Sequence, residues 1–234
     1  MKTSPVKQSA LHFKLIENGA NMINKDSWNI VSHFDQTKNE LKTAKDSLAI
    51  ADISHLSKFK MQTPNLDEFL VTKDRKIQIG KVINQNVINN LSKPVHTTAR
   101  ISIDELWVTS TSYDSWSEIQ AFYEDNNSGA ELFDMTSAFT GIRILGPNAP
   151  LLLSELTDLN IGFDELTNLK TAQSMFLQIY GLITRNDLLN IPTYDLFIDR
   201  SYALYAFESI MKLAARHNGK LVGIKCMSKL EKGI

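Results

Sequence analysis

Along the first seventy residues the apolar positions change period twice. Leu11 and Leu15 lie four apart and Gly19 follows. That is the spacing of a short amphipathic helix with a glycine stop. Residues 36–48 are polar, with Leu41, Ala44 and Leu48 at helical spacing, and predict a second, solvated helix. Between Ile53 and Thr63 the period falls to two. Phe59 and Met61 alternate with Lys58 and Lys60, which predicts a half-buried strand. Pro64 ends it, and Leu66, Phe69 and Leu70 share one face of a following helix.

About eighty residues later the same order returns. Asp134-Met135-Thr136 stands where Asp52-Ile53-Ser54 stood. Ile142 and Ile144 alternate with Arg143, as Phe59 and Met61 alternate with Lys60. Gly146-Pro147 breaks the strand, and Leu152, Leu153 and Leu156 open a helix. Asp to Pro is twelve residues in the first copy and thirteen in the second. A turn, a strand, a proline break and a helix recurring in order point to two similar lobes.

The second lobe is easy to continue. Residues 175–184 are apolar enough for a buried strand. Tyr194, Leu196 and Ile198 alternate with Asp195 and Asp199, the pattern of a hairpin partner across the turn at 186–192. Residues 201–216 place Leu204, Phe207, Ile210, Met211 and Ala214 on one helical face. Ser201 is the candidate cap and Asn218-Gly219 the stop. In the first lobe, residues 101–109 read as a strand with Ile101, Ile103, Leu106 and Val108 as the inward candidates, and residues 71–100 show little punctuation beyond Gly80 and Pro94. Residues 124–130 read as a surface loop and the lobe boundary. The order of elements predicts an α+β sandwich rather than a doubly wound sheet. We divide it into an N-terminal segment (1–46), a first lobe (47–125) and a second lobe (126–234).

Composition removes several function classes. The chain has 234 residues, 43% hydrophobic and 22% charged, an ordinary globular balance. Lys plus Arg number 25 and Asp plus Glu 26, a net charge of −1. There is no basic stripe of the kind nucleic acid requires, so no nucleic-acid partner is expected. No apolar h-region follows residues 1–9, and no run approaches the roughly 18 residues of a membrane span. A cytoplasmic protein with no membrane partner is expected. The single cysteine, Cys226, rules out an intrachain disulfide framework and any CxxC pair, and reads as a buried thiol. No two of the five histidines lie within five residues of each other, so no HExxH helix exists and no metal site is expected. GxGxxG, GxxxxGK[ST] and GxSxG are all absent.

Carboxylates remain. Asp104-Glu105 precede Leu106-Trp107-Val108. Paired carboxylates at a strand mouth can hold a cation or a basic nitrogen, or serve as a base; a solvated strand end has the same sequence. Glu231, near the terminus, reads as an exposed tail residue on its own.

Residues 47–70 (SLAIADISHLSKFKMQTPNLDEFL) resemble the aspartate-hydrophobe-Ser-His segment of the glycine-cleavage T-protein, or aminomethyltransferase, family. Ser4-Pro5, the helix around Leu11, Gly19-Ala20 and Trp28 follow the order of that family's opening. Residues 131–161 are similar to its second lobe, and VGIKCMSKLEKGI at 222–234 is similar to a segment ending in Arg-Leu-Glu-x-Gly. The resemblance implies two pseudo-repeated α+β sandwich lobes around a tetrahydrofolate pocket, without the family's C-terminal β-barrel. It implies one-carbon transfer from an N-methyl or aminomethyl donor, with folate and a small methylated amine as partners. It places the acidic catalytic position on Glu105 or Asp104. Glu231 becomes a pterin ligand, since its two oxygens can accept paired N–H donors. His55 and Leu56 line the pocket.

The departures point to a second reading. The family's Gly-rich turn before paired aspartates is replaced by TTARISIDELWV, and its Tyr-Thr-Gly-Glu turn by TRNDLLNIPTYD at 184–195. Asp199-Arg200-Ser201-Tyr202-Ala203 is similar to the γ subunit of heterotetrameric sarcosine oxidase. The alternative is therefore a non-catalytic γ-type subunit of a sarcosine-oxidase-like demethylating complex. Its partners are oxidase subunits, or a separate chain that supplies the barrel.

Overall fold

The computed structural model describes residues 6–72, 76–83, 96–110, 129–161 and 166–233. Residues 6–110 carry β1 (Lys7–Gln8), α1 (His12–Glu17), β2 (Asn21–Lys25), β3 (Trp28–His33), α2 (Thr37–Asp46), β4 (Leu48–Asp52), β5 (Ser57–Gln62), α3 (Leu66–Thr72), β6 (Val82–Ile83), β7 (His96–Arg100) and β8 (Glu105–Ser110). Then follow β9 (Glu131–Asp134), β10 (Phe139–Leu145), α4 (Ala149–Ser154), β11 (Lys170–Phe176), β12 (Ile179–Arg185), β13 (Thr193–Asp199), α5 (Ala203–Ala214), β14 (Gly219–Leu221) and α6 (Ile224–Glu231).

Among the described residues these strands form three sheets and no closed barrel. A six-stranded sheet runs β11-β12-β13-β10-β4-β14, a five-stranded sheet runs β6-β7-β8-β5-β9, and a small sheet runs β1-β3-β2. The six-stranded sheet shows why β4 is apolar throughout. Leu48 and Ile50 join the core under α1, α4 and α5, while Ala49 and Ala51 face α2 and α6 with Cys226 and Leu230. Both faces of the strand are covered, so both sets of side chains are apolar.

The five-stranded sheet packs one face on α3, through Phe59, Met61, Leu106 and Val108. Its other face meets the six-stranded sheet. Trp107 and Ala99 pack there against Leu182, Phe197, Ile53 and Leu56, with the Trp107 ring edge-on to Phe139 at 5.2 Å. The result is the expected α+β sandwich, with helices outside and two sheets facing each other.

The repeat is realised as a reciprocal handshake. In the first copy the Asp52 carboxylate accepts from Ser54 N (2.9 Å); in the second, Asp134 accepts from Thr136 N (2.8 Å). Each turn's hydroxyl then serves the opposite copy. Ser54 Oγ accepts from Gly141 N (3.2 Å) and Thr136 Oγ1 accepts from Lys58 N (3.0 Å). The carbonyls return the contact, Gly141 O to Ile53 N (2.9 Å) and Lys58 O to Met135 N (2.8 Å). Lys58 and Gly141 thus occupy equivalent places. A Cβ on Gly141 would lie 2.9 Å from an Ile53 side-chain carbon and 3.3 Å from the Phe197 ring, so only glycine fits the second copy.

Several expectations change. Lys58 falls on the polar face of β5, yet it is fully buried, because that face is covered by the other sheet. Residues 175–184 are not one strand. β11 and β12 form a hairpin that turns at Leu177-Gln178, both at positive φ (51° and 64°). Such turns normally carry Gly or Asn, and neither residue marks this one. Residues 101–104 are a hairpin turn between β7 and β8, which leaves Ile103 70% exposed rather than inward. The turn entering α5 is capped by Asp199, which accepts from Ser201 N at 2.8 Å, and not by Ser201. Helix α2 is less solvated than its composition suggests. Glu40 is buried and accepts from Phe34 N (2.7 Å) and Gly223 N (3.3 Å). The loop expected at 124–130 lies mostly outside the described residues. No described helix is long and apolar enough to cross a membrane.

Candidate functional site

On the covered face of the six-stranded sheet, β10 carries Arg143 between β13 and β4, directly opposite Asp195 on one side and Ala51 on the other. Directly opposed strand residues have side chains within reach of each other. Arg143 donates to both Asp195 oxygens, at 2.7 and 2.9 Å, with both side chains 12% exposed. Burial by itself would lower the Arg143 pKa, but Asp195 and Glu231 overcome it and raise the value further. The guanidinium is therefore always charged.

Helix α6 crosses this face and delivers Glu231. It starts at Gly223, where a Cβ would lie 2.3 Å from Ser32 O and 2.5 Å from His33 N. Glycine there lets the helix seat against β3. Cys226, Met227 and Leu230 are buried beneath it. At its last turn Glu231 accepts from Arg143 Nη1 at 3.2 Å through Oε1. Oε2 has no hydrogen bond among the described residues, and the side chain is 41% exposed.

A cavity of about 70 Å³ lies between α6, the end of β4 and the turn after it. Arg143, Asp52, His55, Leu56, Glu231 and Lys25 supply its chemistry, and Ala51, Gly223 and Met227 part of its wall. Burial pushes the His55 pKa down to about 3, aided by the charges of Lys58, Lys25 and Arg143. The imidazole is therefore neutral, with one N–H donor and one acceptor. Behind it, Lys58 Nζ donates to Ser54 O (2.8 Å) and Leu56 O (2.7 Å). Burial lowers the Lys58 pKa to about 7, against the carboxylates of Asp52 and Asp134. Cys226 is buried, and its thiol is pushed up to about 12 by burial and then by Glu40. It is a poor nucleophile. No group of three or more His, Cys, Asp or Glu able to hold a metal occurs among the described residues.

The residues singled out from the sequence fall into two groups. His55, Leu56 and Glu231, distant in the chain, share this cavity. Asp104 and Glu105 do not line it. Asp104 sits in the β7–β8 turn and accepts from Ser102 Oγ at 2.6 Å, which holds its carboxyl below the usual range. Glu105 lies on the face of β8 that carries Trp107, bonded to Lys60 at 2.8 Å. Sequence reading missed Arg143, Asp195, Asp52 and Lys58 as parts of the site. Arg143 did carry a signal, since it is a cation set between two apolar residues of a strand.

The profile of the GCVT N-terminal domain matches residues 11–234. The chain belongs to the GCVT N-terminal domain family. Among curated relatives of this family, the aminomethyltransferase of Thermotoga maritima is 22% identical over 94% of the chain. The chain spans 62% of that relative's length. Glycine cleavage system aminomethyltransferase T from Bartonella henselae superposes with a TM-score of 0.78 at 15% identity, covering 97% of this chain and 62% of that one. One chain of the heterotetrameric sarcosine oxidase from Corynebacterium sp. U-96 superposes with a TM-score of 0.59 at 10% identity, covering 75% of this chain and 90% of that one. At these identities the two structures establish the shared GCVT fold.

Proposed function

We propose that the chain is a tetrahydrofolate-binding protein of one-carbon metabolism. The observation that carries this reading is the convergence of His55, Leu56 and Glu231 on one cavity. The residues present fit a pterin edge, which is rich in N–H groups. Glu231 Oε2 is open to an incoming donor, and Arg143, pinned by Asp195, holds that carboxylate in place. Neutral His55 can donate or accept without adding charge. Leu56 supplies an apolar wall. Folate, when bound, supplies the nitrogens that carry the one-carbon unit. The cavity is well below the roughly 300–1,000 Å³ of typical ligand pockets, so in this conformation it takes one edge of the ring.

The acid–base role of Glu105 or Asp104 is a separate part of the proposal, exercised at the β7–β8 turn. It is tested by Glu105→Gln and Asp104→Asn in a turnover assay with an aminomethyl or N-methyl donor; unchanged turnover removes it. For binding, tetrahydrofolate raises the melting temperature of the wild-type chain by mass action. Glu231→Ala abolishes the shift. An undiminished shift in that variant takes Glu231 out of the pocket.

The near-complete coverage of one sarcosine oxidase chain favours a second reading, a non-catalytic γ-type subunit of a sarcosine-oxidase-like demethylating complex. In that case the chain co-purifies with a flavoprotein oxidase from its native host and shows no tetrahydrofolate shift alone.

A further inference from the structure

Lys58 is a lysine with no solvent exposure, held by two backbone carbonyls rather than by a carboxylate. Both acceptors, Ser54 O and Leu56 O, belong to the same short turn and flank His55. Leaving water is costly for an ammonium unless its protons are satisfied, so this placement calls for a reason. The second copy shows that the fold does not require it. There Gly141 makes the same two backbone bonds with no side chain.

We propose that Lys58 is a positioning residue of the cavity: its ammonium clamps the carbonyls of Ser54 and Leu56 and so presents His55 and Leu56 to the ligand. Among the described residues, the turn is tied across the sheet only to Gly141, through Ile53 N and Ser54 Oγ, on the side before His55. Ser54 N is held by Asp52 Oδ1 (2.9 Å) and Leu56 N by Ile53 O (3.0 Å). Asp52 lines the cavity itself, so clamp, turn and carboxylate form one unit. The inference rests on the cavity being the ligand site, as proposed above, but the clamp can be read without any ligand.

The test uses the full chain with Lys58→Met, which keeps the stem and removes the donors, and Lys58→Gln, which keeps two N–H donors without the charge. Amide hydrogen exchange is followed at Ser54 and Leu56, with the β5 amides as internal control. In Lys58→Met the two turn amides exchange at least tenfold faster while β5 is unchanged, and tetrahydrofolate affinity falls at least tenfold with no loss of melting temperature. Lys58→Gln lies between this variant and wild type in both readouts. Turn exchange equal to wild type in a folded Lys58→Met chain overturns the proposal, as does a melting temperature that falls together with affinity in both variants. Faster turn exchange in a protein whose wild type shows no tetrahydrofolate shift leaves the clamp standing and rejects the folate reading.

Discussion

The two copies of the turn-and-strand unit use the same alternation for different ends. In β5 the strand cation is Lys60, paired to Glu105 across to β8 at 2.8 Å, with side chains 29% and 21% exposed. In β10 the equivalent cation is Arg143, paired to Asp195 on β13 and covered further by Glu231 from α6. Two residues earlier, on the same face, the contrast reverses. The first copy buries Lys58 where the second has Gly141. What separates the copies is the covering element. Helix α6 lies over β10 and leaves a cavity beside it. A strand pattern therefore places a charge on a face, and the neighbour across that face decides whether the charge meets water, a partner or a ligand.

The largest test of this contrast is to orphan the covered pair. Asp195→Asn leaves a buried guanidinium with only Glu231 and is expected to cost about 3–5 kcal/mol in urea unfolding. A cost below about 1 kcal/mol shows that the pair behaves like its less covered counterpart, Lys60–Glu105. Filling the second copy comes next. Gly141→Ala forces a Cβ against Ile53 and Phe197 and is expected to cost about 1–3 kcal/mol; a neutral result means the copies are more interchangeable than their packing indicates.

Lys58 gives a pH signature the second copy lacks. Its ordinary pKa of 10.5 falls to about 7 on folding. Between those values the unfolded chain binds more protons, so stability from this group rises with pH from about 7 to about 10.5. Lys58→Met flattens that rise in denaturation midpoints measured across the range, and a variant with the wild-type slope removes Lys58 as its source. His55 acts on the acid side. Its pKa moves from 6.5 to about 3, so stability is lost as pH falls from about 6.5 toward 3. The smallest effect is expected at the half-buried Lys60–Glu105 pair, where Glu105→Gln changes stability by under about 1 kcal/mol.

Much of this fold is legible in the sequence because local pattern and tertiary surroundings agree. The Asp52 and Asp134 turns, the apolar faces of β5 and β10 and the Leu-rich helix starts all read the same way alone as when packed. The failures have one cause each. The β11–β12 turn uses Leu177 and Gln178 at positive φ, which no turn residue announces. Strand β4 is short and apolar on both faces, so its periodicity says nothing. The resemblance brought His55, Leu56 and Glu231 together, but Arg143 and Asp195 belong to the site only because their strands are neighbours. Sequence order cannot show that adjacency, nor that the polar face of β5 is roofed by a second sheet.

The reciprocal bonds between the two turns also bear on how the molecule comes apart. Each copy supplies the hydroxyl that satisfies the other's strand-entry amide, and β4 is zipped to β10 on one edge and to β14 on the other. Neither half can complete its hydrogen bonding in isolation, because strand β14 comes from near residue 220 and closes on a strand near residue 50. Such long-range closure slows folding and makes the six-stranded sheet a single cooperative unit. Two fragments divided within residues 111–128 would then stay unfolded apart and regain structure only when mixed, so the pair is a candidate for a split reporter in which assembly is the signal.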